Sequence, residues 1–156
     1  MKPNAMMIAT LAGFLATGAG AAEYQVQRTL QLPFPSTEVW HMIGDFCDID
    51  DWHPDIGGCA LNATEGRLER VLTTTDGAEI VERRIAVEPG LSYTYRISAS
   101  SLPIERFTAT FSIEPLDGAR VTWSARFSSD DPTMEATIVE FFETGLAAIE
   151  SNIGAE

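Results

Sequence analysis

Hydrophobic and polar residues alternate with a period of two over most of the chain between Cys59 and Ser128. Such alternation is typical of β-strands that bury one face and leave the other in water. Residue pairs that favour tight turns divide this region, and they are Glu65-Gly66, Asp76-Gly77, Pro89-Gly90 and Asp117-Gly118. The pattern therefore predicts six consecutive strands, over residues 59–65, 67–74, 78–88, 92–99, 104–114 and 119–128.

The segments on either side of these strands predict one more strand and three helices. Residues 24–32 alternate in the same way. Ser36 can cap a short helix that Gly44 ends, and a second short helix is expected over residues 47–52. Apolar residues recur at helical spacing over residues 133–152, where the first residue, a threonine, can cap a long helix. This order predicts an α+β fold, in which a curved seven-stranded antiparallel sheet surrounds the long C-terminal helix and two short helices follow the first strand.

The first 22 residues have the pattern of a secretory signal peptide. Lys2 is followed by an apolar run over residues 6–16 and then by small residues that end at Ala21 and Ala22. The apolar run is shorter than the roughly 20 residues that a membrane-spanning helix needs. We therefore expect a cleaved signal over residues 1–22, a single domain over residues 23–156, location in the periplasm or outside the cell, and no stable membrane insertion.

Charge excludes further classes of partner and mechanism. The chain of 156 residues has a formal net charge of −13, and Lys2 is its one lysine. The arginines are spread from Arg28 to Arg126 without a basic cluster, so nucleic acid is not an expected partner. Because the mature chain would have no lysine, a mechanism through a lysine Schiff base is excluded.

The two cysteines, Cys47 and Cys59, leave two interpretations open. In an exported protein they can form a disulfide bond. They can equally be two separate buried thiols, because free cysteine packs as a small apolar residue.

A set of residues spread over nearly the whole expected mature chain resembles one known superfamily. In chain order these are Val39-Trp40, Phe46, Trp52-His53-Pro54, Asp76-Gly77, Ile80, Glu82, Tyr95, Leu102-Pro103, Phe107 and Trp123. They resemble the SRPBCC proteins, the Bet v 1/START-like group. The resemblance implies a helix-grip (Bet v 1-like) fold around an apolar cavity, and functions in lipid transport, hormone sensing, or cyclisation and dehydration of polyketides. Within the group, the chain is similar to the exported accessory proteins of periplasmic methanol oxidation, the MxaD type.

Glu82 and His53 are the polar residues of greatest interest. Glu82 is predicted on the inward face of its strand, beside Ile80, where a carboxylate needs a partner or a function. It can line a ligand cavity, as the similar glutamate does in the plant hormone-receptor branch, or pair with Arg70, or do both. His53 stands where that branch has a lysine that reaches the ligand's carboxylate. It can bind an anion or act as an acid or base, or it can be a partly exposed loop histidine bonded to the backbone.

The aromatic and apolar residues predicted on the inward faces complete the candidate site. The candidate ligand-binding residues are His53, Leu72, Ile80, Glu82, Tyr95, Ile97, Leu102, Phe107, Phe111, Trp123 and Phe142. The aspartates around His53 do not match a calcium loop, and two histidines and two cysteines do not form a zinc pattern. Phosphate-binding and nucleophile motifs are absent from the sequence as well, so no metal and no cofactor are expected.

Three functions are consistent with this pattern. The first is binding or carriage of a hydrophobic or amphipathic small molecule, with loops around Asp76-Gly77 and Leu102-Pro103 as gates. The second is an enzyme of the cyclase or dehydratase type, in which Glu82, His53 and Tyr95 supply acid–base chemistry. The third is an accessory protein that assists a periplasmic alcohol dehydrogenase system through its acidic surface.

Overall fold

A computed structural model describes residues 20–154. In chain order its elements are β1 (Ala22–Leu32), α1 (Ser36–Ile43), α2 (Ile49–Trp52), β2 (Ile56–Thr64), β3 (Arg67–Thr74), β4 (Glu79–Glu88), β5 (Ser92–Ala99), β6 (Glu105–Pro115), β7 (Ala119–Ser129) and α3 (Met134–Gly154). The strands form one antiparallel sheet in the order β1-β7-β6-β5-β4-β3-β2. This is the α+β helix-grip fold that the sequence predicts.

The predicted alternation is confirmed most clearly in the centre of the sheet. On β6 and β7 every second residue is buried, and these residues are Phe107, Ala109, Phe111, Ile113, Val121, Trp123, Ala125 and Phe127. Helix α3 supplies the facing layer with buried residues at helical spacing, which include Ile138, Phe142, Leu146 and Ile149. The core therefore lies between the inner face of the sheet and α3.

The starts of several elements differ from the sequence-based prediction, and α2 begins at Ile49 rather than at residue 47. Strand β2 begins at Ile56 rather than at residue 59, because a register shift between Ile56 and Gly58 lets the chain continue to pair with β3. Ser36 is the first residue of α1 and makes no capping hydrogen bond. The proline before it, Pro35, occupies the N-cap position instead, and its carbonyl oxygen accepts hydrogen bonds from the amides of Glu38 and Val39.

Cys47 and Cys59 form a disulfide bond, with their Cα atoms 5.6 Å apart. The structure thus selects one of the two open interpretations of the cysteines. The bond joins the segment between α1 and α2 to strand β2, and so fixes both ends of the α2 region.

The predicted signal peptide lies mainly outside the described part of the chain, which begins at residue 20. Cleavage, the single-domain assignment and export therefore stay predictions. Within residues 20–154 no helix is long and apolar enough to cross a membrane.

Candidate functional site

A cavity of about 300 Å³ lies between α3 and the inner face of the sheet. Its lining combines apolar side chains with a few polar ones: Asp55, Leu72, Thr74, Thr75, Asp76, Ile80, Glu82, Tyr95, Ile97, Leu102, Phe107, Thr137, Ile138, Phe141 and Phe142. Ligand pockets commonly have volumes of about 300–1,000 Å³ and a predominantly apolar lining with a small number of placed polar groups. The cavity therefore has the composition of a small ligand site.

The strand directions bring two loops to one end of this cavity. Strands β3 and β5 both run antiparallel to β4, so the β3–β4 turn and the β5–β6 loop lie at the same edge of the sheet. Asp76 lines the cavity from the first of these loops and Leu102 from the second. The amide of Thr75 donates to the carbonyl oxygen of Asp55 at 2.9 Å, which brings Asp55 to the same edge. The two loops that are predicted from the sequence as gates thus border one end of the cavity.

A buried ion pair lies further inside. Glu82 is 6% exposed and Arg70 is 0% exposed, and Nε of Arg70 donates to Oε2 of Glu82 at 2.6 Å. The pair forms because Arg70 on β3 lies directly opposite Glu82 on β4. Arg70 also donates to the carbonyl oxygen of Phe46, and its guanidinium carbon lies 4.2 Å from the Phe46 ring centroid. Glu82 therefore both lines the cavity and pairs with Arg70, and its role towards a ligand stays a prediction.

The two charges of this pair depend on one another. Burial is the largest single influence and opposes the charge of Arg70, but Glu82, Tyr93 and Tyr95 together outweigh it and keep the pKa of Arg70 above its ordinary value. Burial raises the pKa of Glu82, and Arg70 opposes that increase. At 2.6 Å the hydrogen-bonded pair is held in its ionised form. Glu82 is thus a carboxylate on the cavity wall whose charge is compensated by an arginine that is not part of the lining.

Tyr95 supplies a second buried polar group of the cavity wall. Its side chain is 2% exposed, and its hydroxyl oxygen accepts a hydrogen bond from Nε1 of Trp123 at 2.9 Å. Burial, followed by the negative charge of Glu82, raises the pKa of Tyr95 well above its ordinary value. The hydroxyl therefore stays protonated and is a hydrogen-bond donor at any physiological pH.

His53 is not in the cavity lining. Its ring is 2% exposed, Nδ1 accepts a hydrogen bond from the amide of Asp55 at 3.1 Å, and Nε2 donates to the carbonyl oxygen of Phe141 at 2.8 Å. The ring also stacks on Phe141 with the centroids 4.0 Å apart. A Cβ on Gly145 would lie 2.6 Å from Cδ2 of His53, so only glycine admits the ring at this distance. The backbone-bonded interpretation of His53 holds, although the ring is buried rather than partly exposed.

Phe111 and Trp123 also lie outside the lining. The Trp52 ring stacks on Phe111 at 5.6 Å and meets Trp123 edge-on at 5.7 Å, so α2 covers this part of the inner face. The structure brings the other sequence-predicted residues together around the cavity, namely Leu72, Ile80, Glu82, Tyr95, Ile97, Leu102, Phe107 and Phe142. A role of any of them in ligand binding stays a prediction.

Several lining residues were not among the sequence-based candidates. Ile138 and Phe141 lie on α3, where the helical spacing of apolar residues marks a packed face but does not distinguish cavity from core. Thr74, Thr75 and Asp55 have no sequence signal beyond their proximity to the predicted loops.

A hydrogen bond from Thr74 lowers the pKa of Asp76, which favours the negatively charged form of this carboxyl group at the end of the cavity. Within residues 20–154, no three histidine, cysteine, aspartate or glutamate side chains are grouped so that they could hold a metal ion.

The buried imidazole predicts a pH effect on stability. Burial lowers the pKa of His53, so as the pH falls below about 6.5 the unfolded chain takes up the proton first. Wild type is therefore expected to lose stability, relative to His53→Gln, by up to about 1.4 kcal/mol per pH unit below that value. Denaturant unfolding between pH 7.5 and 5.0 measures this, with His41→Gln on α1 as the matched control. Parallel profiles for wild type and His53→Gln would contradict a buried neutral histidine.

A curved sheet that grips one long helix over an internal apolar cavity defines a class of ligand-binding proteins, the helix-grip fold. The chain belongs to the polyketide cyclase / dehydrase and lipid transport family, whose model matches residues 23–154. This places it in the SRPBCC superfamily. No curated protein matches the sequence.

Solved structures of similar proteins agree with this assignment. The protein XoxI from Bacillus cereus is 25% identical, with a TM-score of 0.73 over 84% of this chain and 94% of its own. Major latex-like protein 151 from Panax ginseng is 14% identical, with a TM-score of 0.69 over 85% and 98%. A START superfamily protein from Mycobacterium smegmatis is 15% identical, with a TM-score of 0.65 over 84% and 97%. The resemblance to accessory proteins of methanol oxidation is not confirmed by these matches and stays a prediction.

Proposed function

We propose that the protein binds or carries a hydrophobic or amphipathic small molecule, a lipid or a polyketide-like compound, in this cavity. The observation that supports the proposal is the combination of a cavity of about 300 Å³, a largely apolar wall, and two buried polar groups on that wall. Transfer of apolar ligand surface from water into such a space contributes about 25 cal/mol per Å². Glu82 and Tyr95 would then orient the ligand's polar end.

The two loops at one end of the cavity would admit and enclose the ligand. Asp76 and Leu102 come from separate connections, the β3–β4 turn and the β5–β6 loop, and both contribute to the lining. A connection between strands can move without breaking the sheet, because it lies outside the paired registers. We therefore assign the gating role to these two loops.

The geometry favours binding over catalysis. Of the three candidate acid–base groups, His53 has both ring nitrogens bonded to the backbone and lies outside the lining. Glu82 is held by Arg70, and one of its two carboxylate oxygens, Oε2, is already committed to that hydrogen bond at 2.6 Å. Of the three candidates, a cyclase or dehydratase would have to work with Glu82 and Tyr95 alone.

The proposals of export and of a periplasmic protein partner rest on the N-terminal sequence and on the net charge of −13.

A cavity-filling substitution tests the proposal. Ile80 lines the cavity, so Ile80→Trp would occupy ligand space with indole. We expect the affinity for N-phenyl-1-naphthylamine, an uncharged apolar probe whose fluorescence rises in apolar surroundings, to fall at least tenfold. The matched control is Ile85→Trp, the same substitution at a 42% exposed position of the same strand.

Thermal unfolding of both variants shows whether the fold is retained. Equal probe affinity in wild type, Ile80→Trp and Ile85→Trp would place the probe outside the cavity and contradict the proposal. Absence of any probe binding to the wild type would contradict it as well.

A further inference from the structure

Charge is distributed unevenly over the cavity wall. The charged side chains in the lining are Asp55, Asp76 and Glu82, and all three are acidic. The cation beside the cavity, Arg70, is 0% exposed and already paired with Glu82. His53 is bonded at both ring nitrogens outside the lining. Over the described residues 20–154, a ligand in the cavity therefore meets negative charge without a free positive charge.

Two groups on the same wall have unused hydrogen-bonding capacity. Oε2 of Glu82 accepts from Arg70, whereas Oε1 has no partner in the described part of the chain. The hydroxyl of Tyr95 accepts from Trp123, and its own hydrogen is not donated to any described acceptor. Glu82 pairs opposite Ile97, and Tyr95 is two residues from Ile97 on the same face of β5, so both groups belong to one wall. Both side chains are more than nine-tenths buried and line the cavity.

We infer that the ligand is an amphiphile whose polar end donates a hydrogen bond to Oε1 of Glu82, an alcohol or a protonated amine, and that the cavity discriminates against carboxylates. This inference rests on the proposed function. An alcohol matches the site further, because its oxygen can accept the free hydrogen of Tyr95 while its hydrogen goes to Glu82. A carboxylate has no hydrogen to donate and would bring a second negative charge into a space of low dielectric constant. Selectivity then comes from an unfavourable interaction with the wrong ligand as well as from a favourable one with the right ligand.

Three probes with the same decyl chain separate head-group chemistry from apolar burial. We expect 1-decanol and decylamine to displace N-phenyl-1-naphthylamine from the wild-type protein at pH 7.5 at concentrations at least tenfold below that of decanoate. At this pH the amine is protonated and the acid is ionised, so the series tests an uncharged, a positive and a negative head group.

Substitutions at the ion pair should change the order in which the three probes displace the reporter in a defined way. In Glu82→Gln the guanidinium of Arg70 loses its counter-charge, so decanoate is expected to gain at least tenfold relative to decanol. In the double variant Arg70→Met/Glu82→Gln both buried charges are absent, and the remaining lining carboxylates, Asp55 and Asp76, are exposed to water, so the difference between decanol and decanoate should fall below threefold. This double variant keeps the test available if Glu82→Gln alone does not fold. Glu79→Gln, an exposed position on the same strand, is the matched control and should keep the wild-type order.

The outcomes separate this inference from the proposed function. Displacement by decanoate at or below the decanol concentration in the wild type would overturn the inference while the proposed function stands. An unchanged order in the double variant would also overturn it, because the selectivity would then come from elsewhere. Failure of all three probes and of the apolar reporter to bind would overturn the proposed function itself.

Discussion

Replacement of Glu82 with leucine is expected to lower the free energy of unfolding by about 3–5 kcal/mol. The substitution removes the carboxylate 2.6 Å from Nε of Arg70 and leaves a fully buried guanidinium without a counter-charge. Arginine cannot escape this state by losing its proton, because the guanidinium pKa lies above about 12. Nη2 of Arg70 already lacks a hydrogen-bond partner in the described structure, and the Phe46 carbonyl oxygen and the aromatic rings that would still contact the guanidinium carry no counter-charge. Denaturant unfolding at neutral pH measures the loss.

The single variant Arg70→Met and the double variant Arg70→Met/Glu82→Leu make this prediction specific. Arg70→Met should cost less than Glu82→Leu, because the remaining carboxyl can bind a proton, and burial already raises its pKa. The stability of Arg70→Met should therefore rise as the pH is lowered, since the folded form then binds the proton more tightly than the unfolded form. The double variant Arg70→Met/Glu82→Leu should lie within about 1 kcal/mol of the wild type.

The second ion pair between β3 and β4 provides the control. Arg83 and Glu69 are 2.8 Å apart, with side chains that are 36% and 23% exposed. Removal of either is expected to cost no more than about 1 kcal/mol, because water screens a pair at the surface. Equal effects of Glu82→Leu and Glu69→Leu would contradict the interpretation of Glu82 as a buried, essential counter-charge.

Reduction of the disulfide bond is expected to lower the free energy of unfolding by about 3 kcal/mol. Cys47 and Cys59 are 12 residues apart, and a cross-link of this span restricts the unfolded chain by about that amount. The closed loop contains α2, His53 and Asp55, so its loosening should also weaken binding of the apolar probe. Denaturant unfolding with and without reductant measures the first effect, and probe titration measures the second.

The control for the disulfide is the double variant Cys47→Ala/Cys59→Ala. It should match the reduced wild type in stability and should not respond to reductant. A double variant as stable as the oxidised wild type would show that the bond contributes nothing to the folded state.

The fold could be predicted from the sequence because each part of it leaves a local pattern. A strand with one buried face alternates, as residues 107–113 and 121–127 do, and tight turns require glycine at positive φ, as at Gly77 and Gly118. The start of β2 cannot be predicted in this way, because it leaves no local pattern. Gly57 and Gly58 have no side chains with which to show alternation, so the pairing of Ile56 with Thr74 leaves no signal.

The candidate site could be predicted only in part, because alternation identifies the face of a strand but not what covers each position. Tyr95, Phe111 and Trp123 all lie on inward faces, yet only Tyr95 borders the cavity, since Trp52 packs on the other two. The placement of His53 depends on the carbonyl oxygen of Phe141, 88 residues away in sequence. Contacts of this separation have no local pattern, so the sequence left the role of His53 open.

The central claim is that the cavity holds a small amphiphile. Native mass spectrometry of the protein isolated from the cell that makes it, followed by extraction and identification of the bound compound, tests this claim most directly. We expect a one-to-one complex with an uncharged or cationic amphiphile, and loss of that complex in Ile80→Trp. Isolation of the protein with an empty cavity, together with a protein partner in place of a small molecule, would contradict the proposed function and favour the accessory role.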